Sequence, residues 1–120
     1  MPYHMWYDPK DRCVVARMSG EVGLPLVQAV LSEEVILAER NQCTRVLYDM
    51  READPRLSRT DMSQVPKLAS QAGVKFWFKE AIVANGNRDR LSYLETVSEH
   101  EGQEIKVFDT VGEAKTWLRS

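Results

Sequence analysis

The chain has 120 residues, 43% hydrophobic and 28% charged, with a formal net charge of -2. That balance fits one globular domain (residues 1–120) with a core of its own and excludes an intrinsically disordered chain. It also excludes a bulk basic field for nucleic acid, and no apolar run approaches the roughly 18 residues of a membrane span.

In chain order, Tyr3 to Tyr7 reads as a short aromatic strand. Asp8-Pro9-Lys10-Asp11 is a turn, and Cys13 to Met18 is a second strand. The short connection makes the pair an antiparallel hairpin. Ser19 to Gly23 reads as a loop. Pro25 then suits a helical first turn, where its missing N–H costs nothing. Leu24, Val27, Leu31, Val35 and Ala38 recur at helical spacing, flanked by Val30 and Leu37, while Glu33, Glu34, Glu39 and Arg40 are expected on the wet side.

Arg45 to Asp49 is a third strand with a near-continuous apolar centre, the pattern of a strand covered on both faces. A charged loop is expected from Met50 to Arg59, holding Pro55. Thr60 is a good N-cap, but a helix starting there would place Pro66 in its interior and break a bond. The reading is therefore a turn over Thr60–Met62 and a helix from Ser63 to Ala72, ended by Gly73. A fourth strand runs from Phe78 to Ala84, and Asn85-Gly86-Asn87 forms a turn and N-cap. Leu91, Leu94 and Val97 stripe the next helix, which Gly102 stops. Ile105 to Phe108 is a fifth strand. Thr110 and Glu113 have capping-box spacing, and Val111, Ala114, Trp117 and Leu118 bury one face of a terminal helix. The order is β-β-α-β-α-β-α-β-α. It predicts an α/β fold, with a single-layer, mixed, mainly parallel five-stranded sheet flanked by four helices.

Candidate functional residues gather after the third strand. Ligands of open α/β sheets collect beyond the carboxyl ends of the strands, where Asp49, Arg51, Ser58 and Thr60 fall. One reading is a docking surface or a phosphorylation site at a helix N-terminus; the other is an ordinary solvated loop. Phe76 and Trp77 enter the fourth strand beside Phe78, and neighbours on a strand cannot all point inward. They read as local packing, as a dimer contact or as the mouth of a hydrophobic ligand site. His4 and His100 are far apart and have no ligand-spaced partner, so no metal site is expected. No nucleophile motif is present, which leaves catalysis and cofactors without support. The two cysteines, Cys13 and Cys43, read as reduced thiols of a cytoplasmic protein, because the N-terminus offers neither a basic start nor a long apolar run.

Several segments together resemble the SpoIIAA-like, or STAS-type, family of small regulatory domains. They are Ser19-Gly20-Glu21-Val22, Arg45-Val46-Leu47-Tyr48-Asp49-Met50-Arg51, Ala81-Ile82-Val83, Val107-Phe108, Glu113-Ala114 and Trp117-Leu118. Their order and spacing are nearest to the bacterial proteins of unassigned role in that superfamily. The family's best-known members look like anti-sigma-factor antagonists, with an Asp-Ser-Ser/Thr-Gly motif opening the helix after the third strand. This chain reads Leu57-Ser58-Arg59-Thr60-Asp61-Met62 there, with hydroxyls but without that motif. The resemblance implies a non-catalytic regulatory module that binds another protein or itself as a homodimer. A further relation to SEC14-type domains implies the alternative, a carrier or sensor of a small hydrophobic, lipid-like ligand.

Overall fold

The computed structural model describes residues 2–120. Its elements are β1 (Tyr3–Asp8), β2 (Cys13–Val22), α1 (Leu24–Arg40), β3 (Arg45–Pro55), α2 (Arg59–Ala72), β4 (Lys79–Val83), α3 (Arg88–His100), β5 (Glu104–Phe108) and α4 (Val111–Arg119). The strands form one five-stranded sheet in the spatial order β1-β2-β3-β4-β5. β1 pairs with β2 antiparallel, and every other pair is parallel. The expected mixed, mainly parallel α/β architecture is the observed one.

Spatial order equals chain order, so each crossover steps the same way across the sheet. Crossovers of a single hand then put α1, α2 and α3 on one face. Val14, Val46, Tyr48, Ile82 and Val107 alternate onto that face and pack against Val30, Leu31 and Val35 of α1, Val65 and Ala69 of α2, and Leu91 and Leu94 of α3. The opposite face carries a smaller core, in which Val15, Leu47, Ala81, Val83 and Phe108 meet Ala114 and Leu118 of α4. α4 contacts β3, β4 and β5. On the β1–β2 half of the same face, Trp6 and Arg17 are exposed.

The strands run further than their sequence suggests. Ser19 to Val22 continues β2 instead of forming a loop, and Met50 to Pro55 continues β3 instead of opening the charged loop. The two extensions pair with each other, Ser19 with Glu52 through Val22 with Pro55. They form a parallel ribbon beyond Val83 and Phe108, where β4 and β5 end. Gly20, Glu21 and Glu52 are exposed and only Val22 and Pro55 are buried, so the ribbon shows no apolar alternation and its charges read as loop.

α2 also starts earlier than expected, at Arg59 rather than Ser63, with no separate turn over Thr60–Met62. Ser58 and Asp61 supply the reason. Ser58 Oγ accepts from the Asp61 N–H at 3.0 Å, and Asp61 Oδ2 accepts from the Ser58 N–H at 3.0 Å, a reciprocal capping box. This cap and the burial of Met62 and Val65 offset the interior Pro66, itself fully buried. Gly73 ends the helix with φ 110°.

Candidate functional site

β3 and β2 fall out of step just past Asp49. Arg17 lies opposite Asp49, but Ser19 lies opposite Glu52, so β3 holds two residues (Met50 and Arg51) where β2 holds Met18 alone. This is a β-bulge, a device that kinks a strand and re-aims its side chains. Asp49 is level with Val83, the last residue of β4, so the bulge sits at the carboxyl edge of the sheet.

At the bulge, Arg51 folds back along its own strand. Arg51 Nε donates to Asp49 Oδ1 and Nη2 to Oδ2, both at 2.9 Å, and the Arg51 N–H donates to Oδ1 at 3.2 Å. From β2, Arg17 Nε approaches Oδ2 at 3.4 Å. The Asp49 side chain is only 7% exposed, whereas Arg17 and Arg51 are about half exposed. The hydrogen bonds from Arg51 hold the Asp49 carboxyl below its ordinary range against the opposing effect of burial, and Arg17 adds to the effect. Two guanidiniums share one carboxylate, and the exposed Glu52 also acts on Arg51. Arg17 also stacks on Trp6, its Cζ 5.4 Å from the ring centroid. The β4–α3 loop closes one side, where Asn85 Nδ2 donates to the Arg51 carbonyl at 3.1 Å.

The other candidates divide between the two ends of the sheet. Ser58 and Thr60 lie at the exposed N-terminus of α2, which follows the ribbon, and Ser58 is the N-cap. The ribbon is tied to α3 by Arg90, which donates to the Pro55 carbonyl at 2.5 Å. Phe76 and Trp77 precede β4 and so sit at the amino edge, away from Asp49 and Arg51. They are 72% and 55% exposed and meet edge to face at 4.9 Å, while Phe78 is buried. Asn87 caps α3 without a side-chain bond to the helix, its Oδ1 accepting instead from the Asn85 N–H at 3.0 Å.

Arg17 and the buried cluster of Glu34, Tyr48 and Glu80 lie outside the candidates that the sequence offers. Arg17 needed the strand register, which alone sets it beside Asp49. Glu34 was expected on the wet side of α1 and is instead fully buried. Its spacing explains the correction, since it stands four residues after Val30 and four before Ala38, in the middle of the apolar stripe. Glu34 Oε1 lies 2.5 Å from the Tyr48 hydroxyl, and the same hydroxyl bonds Glu80 of β4.

Tyr48 and Glu80 line an apolar cavity of about 50 Å³ between the sheet and α1 to α3, with Val27, Leu31, Leu94 and Ser98 among its walls. Ligand pockets usually span about 300–1,000 Å³. Neither Phe76 nor Trp77 lines it. Among the described residues no three His, Cys, Asp or Glu side chains cluster as metal ligands, and no helix is long and apolar enough to cross a membrane. Cys13 and Cys43 are buried free thiols, and burial pushes Cys13 up to about 11.

No family model matches the sequence, and no curated protein does. Solved structures match nearly end to end. An uncharacterised DUF3478-family protein with a SpoIIAA-like fold, from Shewanella loihica PV-4, is 17% identical with TM-score 0.59, over 97% of this chain and 91% of that one. An anti-sigma factor antagonist from Mycobacterium paratuberculosis is 15% identical with TM-score 0.62, over 98% and 95%. The anti-sigma factor antagonist SpoIIAA in its unphosphorylated form is 12% identical with TM-score 0.52, over 98% of both chains. At these identities the likeness concerns the fold.

Proposed function

We propose that this chain, whose fold is SpoIIAA-like, is a non-catalytic regulatory module that acts in the cytoplasm by binding another protein at its carboxyl edge. The observation that carries the reading is the Asp49 clamp. A buried carboxylate holds Arg51 and Arg17 in place beside the half-exposed Trp6. Arginine and tryptophan are the residues most enriched where protein interfaces concentrate their affinity. Pre-ordering them lowers the entropy lost on docking. The half-exposed guanidiniums of Arg17 and Arg51 favour a partner that presents a carboxylate or a phosphoryl group, and exposed Ser58 and Thr60 lie on the ribbon side of the same edge. Two of the structural neighbours are anti-sigma factor antagonists, which supports a regulatory role over a catalytic one.

Affinity capture from the source cells with the wild-type chain and with Arg17→Ala and Trp6→Ala tests it. The expected result is a protein held by the wild type and lost by both variants while their circular dichroism stays native. Equal retention by both variants overturns the assignment of this surface. Self-association through the same patch would appear as a dimer in sedimentation that both variants dissociate.

A further inference from the structure

On the three-helix face, α1 meets the sheet through buried polar side chains as well as apolar ones. Glu34 is fully buried, Glu80 is 3% exposed and Tyr48 6%. The Tyr48 hydroxyl lies within hydrogen-bonding reach of both carboxyl groups. A phenol has one proton, so it donates to one carboxyl and accepts from the other. The carboxyl that donates must be a carboxylic acid. Like charges this close, away from water, also cannot both persist.

Among the described residues no cation relieves the pair. The surroundings that act on Glu34 are burial, Glu80 and Tyr48, and those that act on Glu80 are burial and Tyr48. Of the elements packed over them, α2 brings Val65 and Ala69 to the adjoining cavity and α3 brings Leu94 and Ser98. Glu95 of α3 is spent on the Val107 N–H, at 2.7 Å. β2 brings Met18 and β5 brings Ile105. Glu34 Oε2 and Ser98 Oγ are buried without a hydrogen-bond partner.

We propose that Glu34, Tyr48 and Glu80 form a buried proton-binding site that fastens α1 to the sheet, and that loss of its proton loosens α1. With the proton present, one acid and one phenol link α1, β3 and β4 in a chain of donors. Without it, two carboxylates compete for one phenolic proton across an apolar gap, and α1 carries one of them. The helix is the movable partner, because the other two side chains stand on paired central strands.

Infrared spectroscopy of the whole chain, combined with amide hydrogen exchange, tests this. The wild type should keep a carboxylic C=O band at about pH 6, where exposed carboxyls have ionised. Glu34→Gln or Glu80→Gln should weaken that band. As pH rises and the band disappears, exchange protection over residues 24–40 should drop about tenfold or more after correction for intrinsic rates. The double variant Glu34→Gln/Glu80→Gln should show no such drop. Absence of the band at about pH 6, or an equal drop in the double variant, overturns the proposal. Should a Gln variant not fold, Tyr48→Phe serves instead, since removing the bridging hydroxyl must move the pH at which the band is lost. A band unmoved in Tyr48→Phe refutes the site equally.

Discussion

Arg51 bonds Asp49, two residues before it in the same strand, through one edge of its guanidinium, Nε and Nη2 each at 2.9 Å, where the register of β3 against β2 shifts. Neutralising Asp49 leaves Arg51 and Arg17 facing each other without a counter-charge. Asp49→Ala should therefore cost about 1–3 kcal/mol in urea unfolding, the range for a lost charged hydrogen bond. Arg51→Ala should cost less, since Arg17 remains within 3.4 Å. The clamp is a lowered-carboxylate case, so its contribution is complete above the ordinary Asp range and is lost as pH falls through the depressed value. An NMR titration placing Asp49 at or above the usual Asp range would contradict the geometry.

The buried acids predict the opposite slope. Burial and the nearby Glu80 raise Glu34 well above 4.5, against the Tyr48 hydrogen bond, and burial raises Glu80 to about 7. Between 4.5 and about 7 the native state binds more protons than the unfolded chain. Stability contributed by these acids is thus full below 4.5 and declines as pH rises through that window. Each pKa unit is worth about 1.4 kcal/mol, so the loss should reach a few kcal/mol. Denaturation midpoints in urea across this range should fall for the wild type and stay flatter for Glu80→Gln.

Ser58 and Thr60 should separate cleanly. Ser58→Ala removes one bond of the capping box and frees the other, and should cost about 1 kcal/mol. Thr60 is exposed one turn position on and caps nothing, so Thr60→Ala should stay within about 0.5 kcal/mol. Thermal unfolding of the two variants decides it, with equal effects counting against the observed start of α2.

Gly73 should resist substitution for two reasons. Its φ of 110° is a left-handed cap that side chains rarely adopt. An added Cβ would also stand 3.1 Å from Val35 Cγ1, inside the core of α1. Gly73→Ala should lower stability by about 1–3 kcal/mol, the cost of such backbone strain. A stability equal to wild type would show that the α2–β4 connection relaxes freely.

What was legible in the sequence follows from which physics was local. The alternation of elements and the apolar centres of Val46-Leu47-Tyr48 and Ala81-Ile82-Val83 led to the right sheet. The ribbon over Glu52 to Pro55 was not legible, because its charges match a loop and its pairing partner lies 33 positions upstream, in Ser19 to Val22. The start of α2 differs from the expected Ser63 because setting Pro66 against Thr60 as N-cap leaves out the Ser58–Asp61 cap, which is visible as a spacing of three. Glu34 was assigned to water on charge alone, although its stripe position pointed inward. Arg17 could not be tied to Asp49 without a register, and Asp49 itself was found by the topological rule for strand ends.

The strand order also constrains how the molecule can assemble. Each strand lies next to its predecessor in the chain, so the topology allows the sheet to grow strand by strand with none inserted between two already in place. The β1–β2 turn closes the shortest loop at the smallest entropic cost, and each later strand adds one loop closure of similar length. α4 alone covers its face and rests on β3, β4 and β5, so its surface is complete only after β5 has docked. The growing chain can thus bury the larger core step by step as it lengthens, and the smaller core waits for the last turn of helix.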